Sequence, residues 1–169
     1  MTAQPERTLD IDELDVIAPG AFAAAVAPLF EGARAFLGRL ALARPFDSTA
    51  VMFDRARDIA HAMPLDEQLE LIDAHPRLGA APAAVSDLSR VEQAAGAQDA
   101  AVAAELEQLN AAYEARFGFR YCVFVAGRSR AALLPDFRAA LDADRDTEIE
   151  RALDAVIDIA RARYATLTA

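Results

Sequence analysis

Only two histidines and one cysteine stand ready to titrate near neutral pH in this chain of 169 residues. One of them, His75, directly precedes Pro76, where a helix is expected to stop. Downstream come Ser89, Glu92 and Gln93, then the run Tyr121-Cys122-Val123-Phe124-Val125, and finally Arg163. This set offers a proton-transfer group, a carboxylate, an amide, a guanidinium and backbone hydrogen-bonding groups. It is suited to a small polar ligand and to proton transfer without a metal or cofactor.

Each member also has a plain structural reading. A histidine at a helix end can cap the helix, with Glu70, Asp73 or Glu92 setting its tautomer or charge. Ser89-x-x-Glu92 matches a capping box, although Gln93 is surplus to capping and a helix N-terminus also suits an anionic ligand. Tyr121 to Val125 is β-branched and aromatic, bounded by Gly118 and Gly127, and reads as extended. It has no second strand to pair with, so its N–H and C=O groups must find helix ends, water or a ligand. His61, near Arg57 and Asp58, reads as solvated surface. Arg163 falls at the edge of the apolar stripe Ile149, Leu153, Val156, Ile157, Ala160 and Tyr164. Pointing inward, it needs an anion, either Glu92 or a ligand carboxylate. Arg161 falls beside Asp154 and Asp158, as a solvated ion pair.

Composition narrows the function classes. Net charge is -10, and the 17 basic residues are all arginine. An acidic chain without a basic patch is a poor partner for nucleic acid. A lysine-free chain forms no Schiff base, anchors no pyridoxal phosphate in the usual way, and lacks the lysine of a phosphate loop. Two histidines and one cysteine without ligand spacing argue against zinc. No run approaches the ~20 apolar residues of a membrane span, the start is polar, and one cysteine suits a reducing compartment. A cytoplasmic protein without membrane contact is expected.

The elements that must position these residues are helical. Periodicity predicts helices over about 18–29, 32–42, 47–63, 66–74, 89–96, 100–117, 129–143 and 146–164, with loop over 77–86. Thr147 with Glu150 fits a capping box for the last of these. The expected fold is all-α: a single-domain bundle of about eight helices over residues 11–167. It carries one short extended segment near 121–125 and follows a flexible N-terminus, 1–10.

Several motifs carry a resemblance in fixed order: His75-Pro76-x-Leu78-Gly79, Ser89-x-x-Glu92-Gln93, Leu109-Asn110-x-x-Tyr113, Phe117-Gly118-Phe119 and Ile159-Ala160-Arg161-x-Arg163. With Leu29-Phe30-Glu31 and Arg44-Pro45-Phe46, the chain resembles the 2-oxo-4-hydroxy-4-carboxy-5-ureidoimidazoline (OHCU) decarboxylases over nearly its whole length. The resemblance implies a cofactor-free, homodimeric carboxy-lyase that completes urate breakdown to (S)-allantoin and carbon dioxide. It implies that His75 is catalytic together with Glu92, which also contacts substrate. It also implies that Pro76, Ser89, Gln93, the backbone of Tyr121, Cys122, Val123, Phe124 and Val125, and Arg163 bind substrate. Three positions depart from the family pattern: Arg77 in place of an acidic residue, Arg120 in place of proline, and Tyr164 in place of leucine. Two rivals stand beside this reading. One is an amidohydrolase using Cys122, His75 and Glu92; the other is a non-enzymatic acidic helical module that binds a ligand.

Overall fold

The computed structural model describes residues 9–80 and 100–169. Among them the chain forms eight α-helices: α1 (Ile11–Val16), α2 (Pro19–Val26), α3 (Arg34–Leu42), α4 (Thr49–Ala62), α5 (Leu65–Asp73), α6 (Ala100–Phe117), α7 (Arg130–Ala140) and α8 (Arg145–Leu167). No strand ladder occurs among the described residues, and the all-α bundle expected from periodicity is what the chain adopts. The expected helix over 89–96 and most of the loop over 77–86 lie outside the described residues, as do residues 1–8 of the expected flexible N-terminus.

Helix starts follow local chemistry. Asp10, Ser48 and Ser129 each accept a backbone N–H of the first turn, from Asp12 at 2.8 Å, Val51 at 3.2 Å and Ala132 at 3.1 Å. Three expectations need correction. The α1 helix precedes the first helix read from the sequence. The single helix expected over 18–29 is α2 followed by a 3-10 turn, Ala27–Phe30, because Pro28 cannot donate to a continuing ladder. The cap of α8 is Asp144, not Thr147: its carboxylate accepts Thr147 N–H at 2.9 Å and the Thr147 hydroxyl at 2.8 Å. An aspartate three residues upstream outcompetes the Thr147–Glu150 box.

Buried rings pack in pairs, Phe22 with Phe46 and Phe30 with Phe36, while Tyr113 packs against Phe119 and Phe137. The α8 helix is 23 residues long and runs past α4, α5 and the 3-10 turn. At 1.5 Å per residue it spans roughly 35 Å. Its predicted stripe is buried: Ile149, Leu153, Val156, Ile157 and Ala160 all face the core, and Tyr164 is half-buried. Leu9 is also packed away, and its carbonyl accepts the Tyr164 hydroxyl. A leucine at position 164 could not make that bond.

Candidate active site

His75 lies just beyond the C-terminus of α5 and is 4% exposed. Its ring Nδ1 is 3.1 Å from the Leu71 carbonyl oxygen. A carbonyl only accepts, so the neutral imidazole carries its proton on Nδ1 and keeps a bare lone pair on Nε2. That Nε2 is buried and has no hydrogen-bond partner among the described residues. A main-chain oxygen therefore holds Nδ1, rather than Glu70 or Asp73; Glu92, the third residue the sequence suggested, lies outside the described residues. Glu70 accepts the Ala35 N–H at 3.2 Å and Asp73 accepts the Arg120 N–H at 2.8 Å.

Burial, reinforced by the Arg163 cation, pushes the His75 pKa down to about 4, against smaller opposing effects of Leu71 and Glu31. The unfolded chain takes up this proton near the ordinary value of 6.5 and the folded chain only near 4. Between those values the unfolded state binds more protons. The stability contributed by neutral His75 is therefore complete above about pH 6.5 and is lost as the pH falls through that window. Thermal melts should show Tm declining over this range, and His75→Asn should remove that part of the decline. An unchanged profile in the variant would show that His75 is not the group responsible.

Arg163 is 3% exposed, on the inward face its helical phase predicts. Its Nη2 donates to Glu31 Oε1 at 2.8 Å, and Nη1 donates to the carbonyls of Pro28 at 3.0 Å and Leu29 at 3.4 Å. The described anionic partner is thus Glu31; Glu92, which the sequence offered, lies outside the described residues together with Ser89 and Gln93. Glu31 ends the 3-10 turn at φ 51° and is followed by Gly32 at φ 71°. A non-glycine residue with positive φ is uncommon and strained. Here the reversal turns the glutamate back toward Arg163. The signal was present in Phe30-Glu31-Gly32, but its φ could not be read from the residue types.

Arg161 is exposed, as its phase predicts, but its partner is Asp54 at 3.7 Å, with its guanidinium over the Phe53 ring. Asp154 and Asp158 are instead held by Arg57, and His61 adds a 2.9 Å contact to Asp154. His61 remains a surface residue.

The connector after α6 runs beside His75. Arg120 donates through Nη1 to the Asp73 carbonyl at 2.9 Å and the His75 carbonyl at 3.3 Å. Its N–H bond to the Asp73 carboxylate is one that a proline at this position would lack. Arg77, the other departure in this region, donates to Glu114 at 2.7 Å, tying the segment after Pro76 to α6. Tyr121 and Cys122 are buried, and Pro76, Val123, Phe124 and Val125 are half-buried. The Tyr121 ring stacks on Phe137 at 3.8 Å. The N–H groups of Tyr121, Val123, Phe124 and Val125 donate to no acceptor among the described residues. Side chains of this run thus pack on the core, while the N–H groups of Tyr121, Val123, Phe124 and Val125 have no described acceptor. Among the described residues no three His, Cys, Asp or Glu side chains cluster as metal ligands would. No described helix is long and apolar enough to cross a membrane.

Residues 16–165 match the family model described as OHCU decarboxylase. The chain belongs to the OHCU decarboxylase family. The uric acid degradation bifunctional protein PucL of Bacillus subtilis (strain 168) is 33% identical over 147 residues, covering 82% of this chain and 28% of that protein. The chain thus spans little more than a quarter of PucL. The 2-oxo-4-hydroxy-4-carboxy-5-ureidoimidazoline decarboxylase of Haloferax volcanii is 28% identical over 160 residues, covering 93% of this chain and 95% of that one. A crystal structure of OHCU decarboxylase in the presence of (S)-allantoin shares the fold, with a TM-score of 0.70 and 24% identity over 84% of this chain and 95% of that chain. A crystal structure of (S)-allantoin synthase gives 0.72 and 18% over 94% of this chain and 53% of that one. Decarboxylation is the activity for which the OHCU decarboxylase family is named, and urate degradation appears in the name of PucL. Neither a cysteine amidohydrolase nor a non-enzymatic binding module has a counterpart among these named relatives.

Proposed function

We propose that the chain decarboxylates 2-oxo-4-hydroxy-4-carboxy-5-ureidoimidazoline to (S)-allantoin and carbon dioxide, the last step from urate to allantoin. The observation that carries this reading is His75. It is a buried neutral imidazole with Nδ1–H committed to a main-chain carbonyl and Nε2 without a described partner, beside the Arg163–Glu31 pair.

A depressed pKa keeps His75 unprotonated at neutral pH, so Nε2 is ready to accept the proton of the substrate hydroxyl. A substrate carboxylate placed near Arg163 would offset the cation that helps depress that pKa, raising the basicity of His75 when substrate is bound. The carbon–carbon bond to the carboxyl group then breaks. Its electron pair enters the substrate's conjugated C–N system and carbon dioxide departs. The hydroxyl oxygen becomes the carbonyl, and protons added to the ring nitrogen and to the ureido-bearing carbon, one of them returned from His75 and one from solvent, complete allantoin. Glu92, by family resemblance, would orient the reacting end. Ser89, Gln93, Pro76 and the 121–125 backbone would hold the planar amides, and such orientation supplies much of the rate. A cytoplasmic homodimer acting without a cofactor belongs to the same reading; family resemblance supports the dimer and the missing cofactor, and the single cysteine fits a reducing compartment.

Incubating the protein with freshly generated ureidoimidazoline while following optical rotation tests the proposal. Accelerated formation of the S isomer is expected, and racemic product at the uncatalysed rate would end it. Activity should survive dialysis against a chelator. Cys122 is buried in the connector, where its thiol acts as a small apolar side chain. Cys122→Ala should therefore keep activity within about threefold, since removal of a nucleophile would cost far more. Loss of activity on this substitution would revive the hydrolase reading.

A further inference from the structure

A polar cluster separate from His75 sits where α6, α8 and the 118–125 connector meet. The Tyr113 hydroxyl donates to Glu148 Oε1 at 2.8 Å. Arg151 grips the same carboxylate through Nε, 3.0 Å from Oε2, and Nη2, 2.9 Å from Oε1. The Glu148 side chain is 3% exposed and that of Arg151 33% exposed, so the pair is largely withdrawn from water. Holding Glu148 occupies only one edge of the guanidinium. The remaining Nη1 reaches across to the Cys122 carbonyl at 2.8 Å, and the guanidinium lies over the Tyr121 ring at 4.8 Å. Two residues further along, Arg128 Nη2 donates to the Phe124 carbonyl at 2.8 Å.

Peptide planarity gives these two bonds a directional effect. In a trans peptide the N–H points opposite to the C=O of the preceding residue. A guanidinium that fixes the Cys122 carbonyl therefore fixes the Val123 N–H on the opposite side. Arg128 does the same for the Val125 N–H through the Phe124 carbonyl. Both donors lack an acceptor among the described residues. This connector has no ladder of its own to orient its peptides, so the arginines take over that task.

We infer that Arg151, seated by Glu148 and Tyr113, and Arg128 are positioning residues that aim the Val123 and Val125 N–H groups at the substrate's amide oxygens. This inference rests on the decarboxylase reading and deepens it: the two arginines act through the backbone and do not touch the substrate. Arg151→Lys keeps the charge but has no planar fork to span Glu148 and the Cys122 carbonyl together. It should raise KM for the ureidoimidazoline roughly tenfold or more with kcat changed by less than about threefold, since misplaced binding groups cost affinity while His75 is untouched. The exposed Arg128→Met should raise KM by a smaller factor and leave the melting curve unaltered. Arg151→Met is the stronger variant; should it fail to fold, Arg151→Lys and Arg128→Met decide the matter. Folded variants with wild-type KM would overturn the inference, as would a fall in kcat and Tm with KM preserved. An active wild-type enzyme with wild-type-like variants sinks this inference alone, whereas an inactive wild-type enzyme removes the decarboxylase reading and this inference with it.

Discussion

Substituting His75 with asparagine should lower turnover by roughly a hundredfold or more, the usual effect of losing an acid–base group, with the fold retained. Asparagine can place an amide N–H near the position of Nδ1 and so keep the bond to the Leu71 carbonyl. It offers no basic lone pair where Nε2 stands. His75→Ala should be as inactive and less stable, because it also leaves a small cavity and an unpaired carbonyl in a site that is 4% exposed. His61→Asn is the internal control. That histidine is a surface residue paired with Asp154, and its loss should be nearly silent. Steady-state rates on fresh substrate, with circular dichroism of each variant, separate the cases. Near-normal decarboxylation by a folded His75→Asn enzyme removes His75 from the mechanism.

Arg163→Met should abolish efficient turnover and also destabilise the protein. From the sequence alone, the removal of an unpaired buried charge is expected to leave stability unchanged or improved. Its bonds to Glu31 and to the carbonyls of Pro28 and Leu29 reverse that expectation. Taking away one partner of a buried ion pair costs about 3–5 kcal/mol. Glu31→Gln should recover part of that stability in the double variant, since it removes the charge that Arg163 had balanced. Arg161→Met, two residues away on the solvent face, should cost at most about 0.5 kcal/mol and leave kinetics intact. Melting curves and Michaelis parameters for the three variants check the contrast. If Arg161→Met is the inactive one, the site is built on the wrong face of α8.

The fold class was legible because helical period and stop signals depend on neighbours within one turn. The inward phase of Arg163 and the outward phase of Arg161 follow from α8 alone. Their partners did not follow, because Glu31 and Asp54 lie on other elements and only folding brings them close. The same limit explains the His75 tautomer. Acidic residues nearby in sequence were the visible candidates, whereas the Leu71 carbonyl carries no residue-type signal. The short α1 was missed because six residues give too few turns for a period to register. The arginine-to-carbonyl bonds of the connector were illegible for a further reason. An unpaired segment shows in sequence only that its hydrogen bonds go elsewhere, not which side chains receive them.

The bond between Arg163 and Glu31 closes a loop across a sequence separation of 132 residues. During synthesis the α2–α3 half emerges long before its partner does. Until α8 docks, Glu31 and the 3-10 carbonyls lack Arg163, and His75 lacks the neighbouring cation that helps keep it unprotonated. Late closure of so long a loop is entropically slow, so catalytic competence should lag behind the gain of helix in refolding experiments. The order of biosynthesis thereby acts as a timer: a nascent chain can be largely helical and still be unable to hold or turn over its substrate.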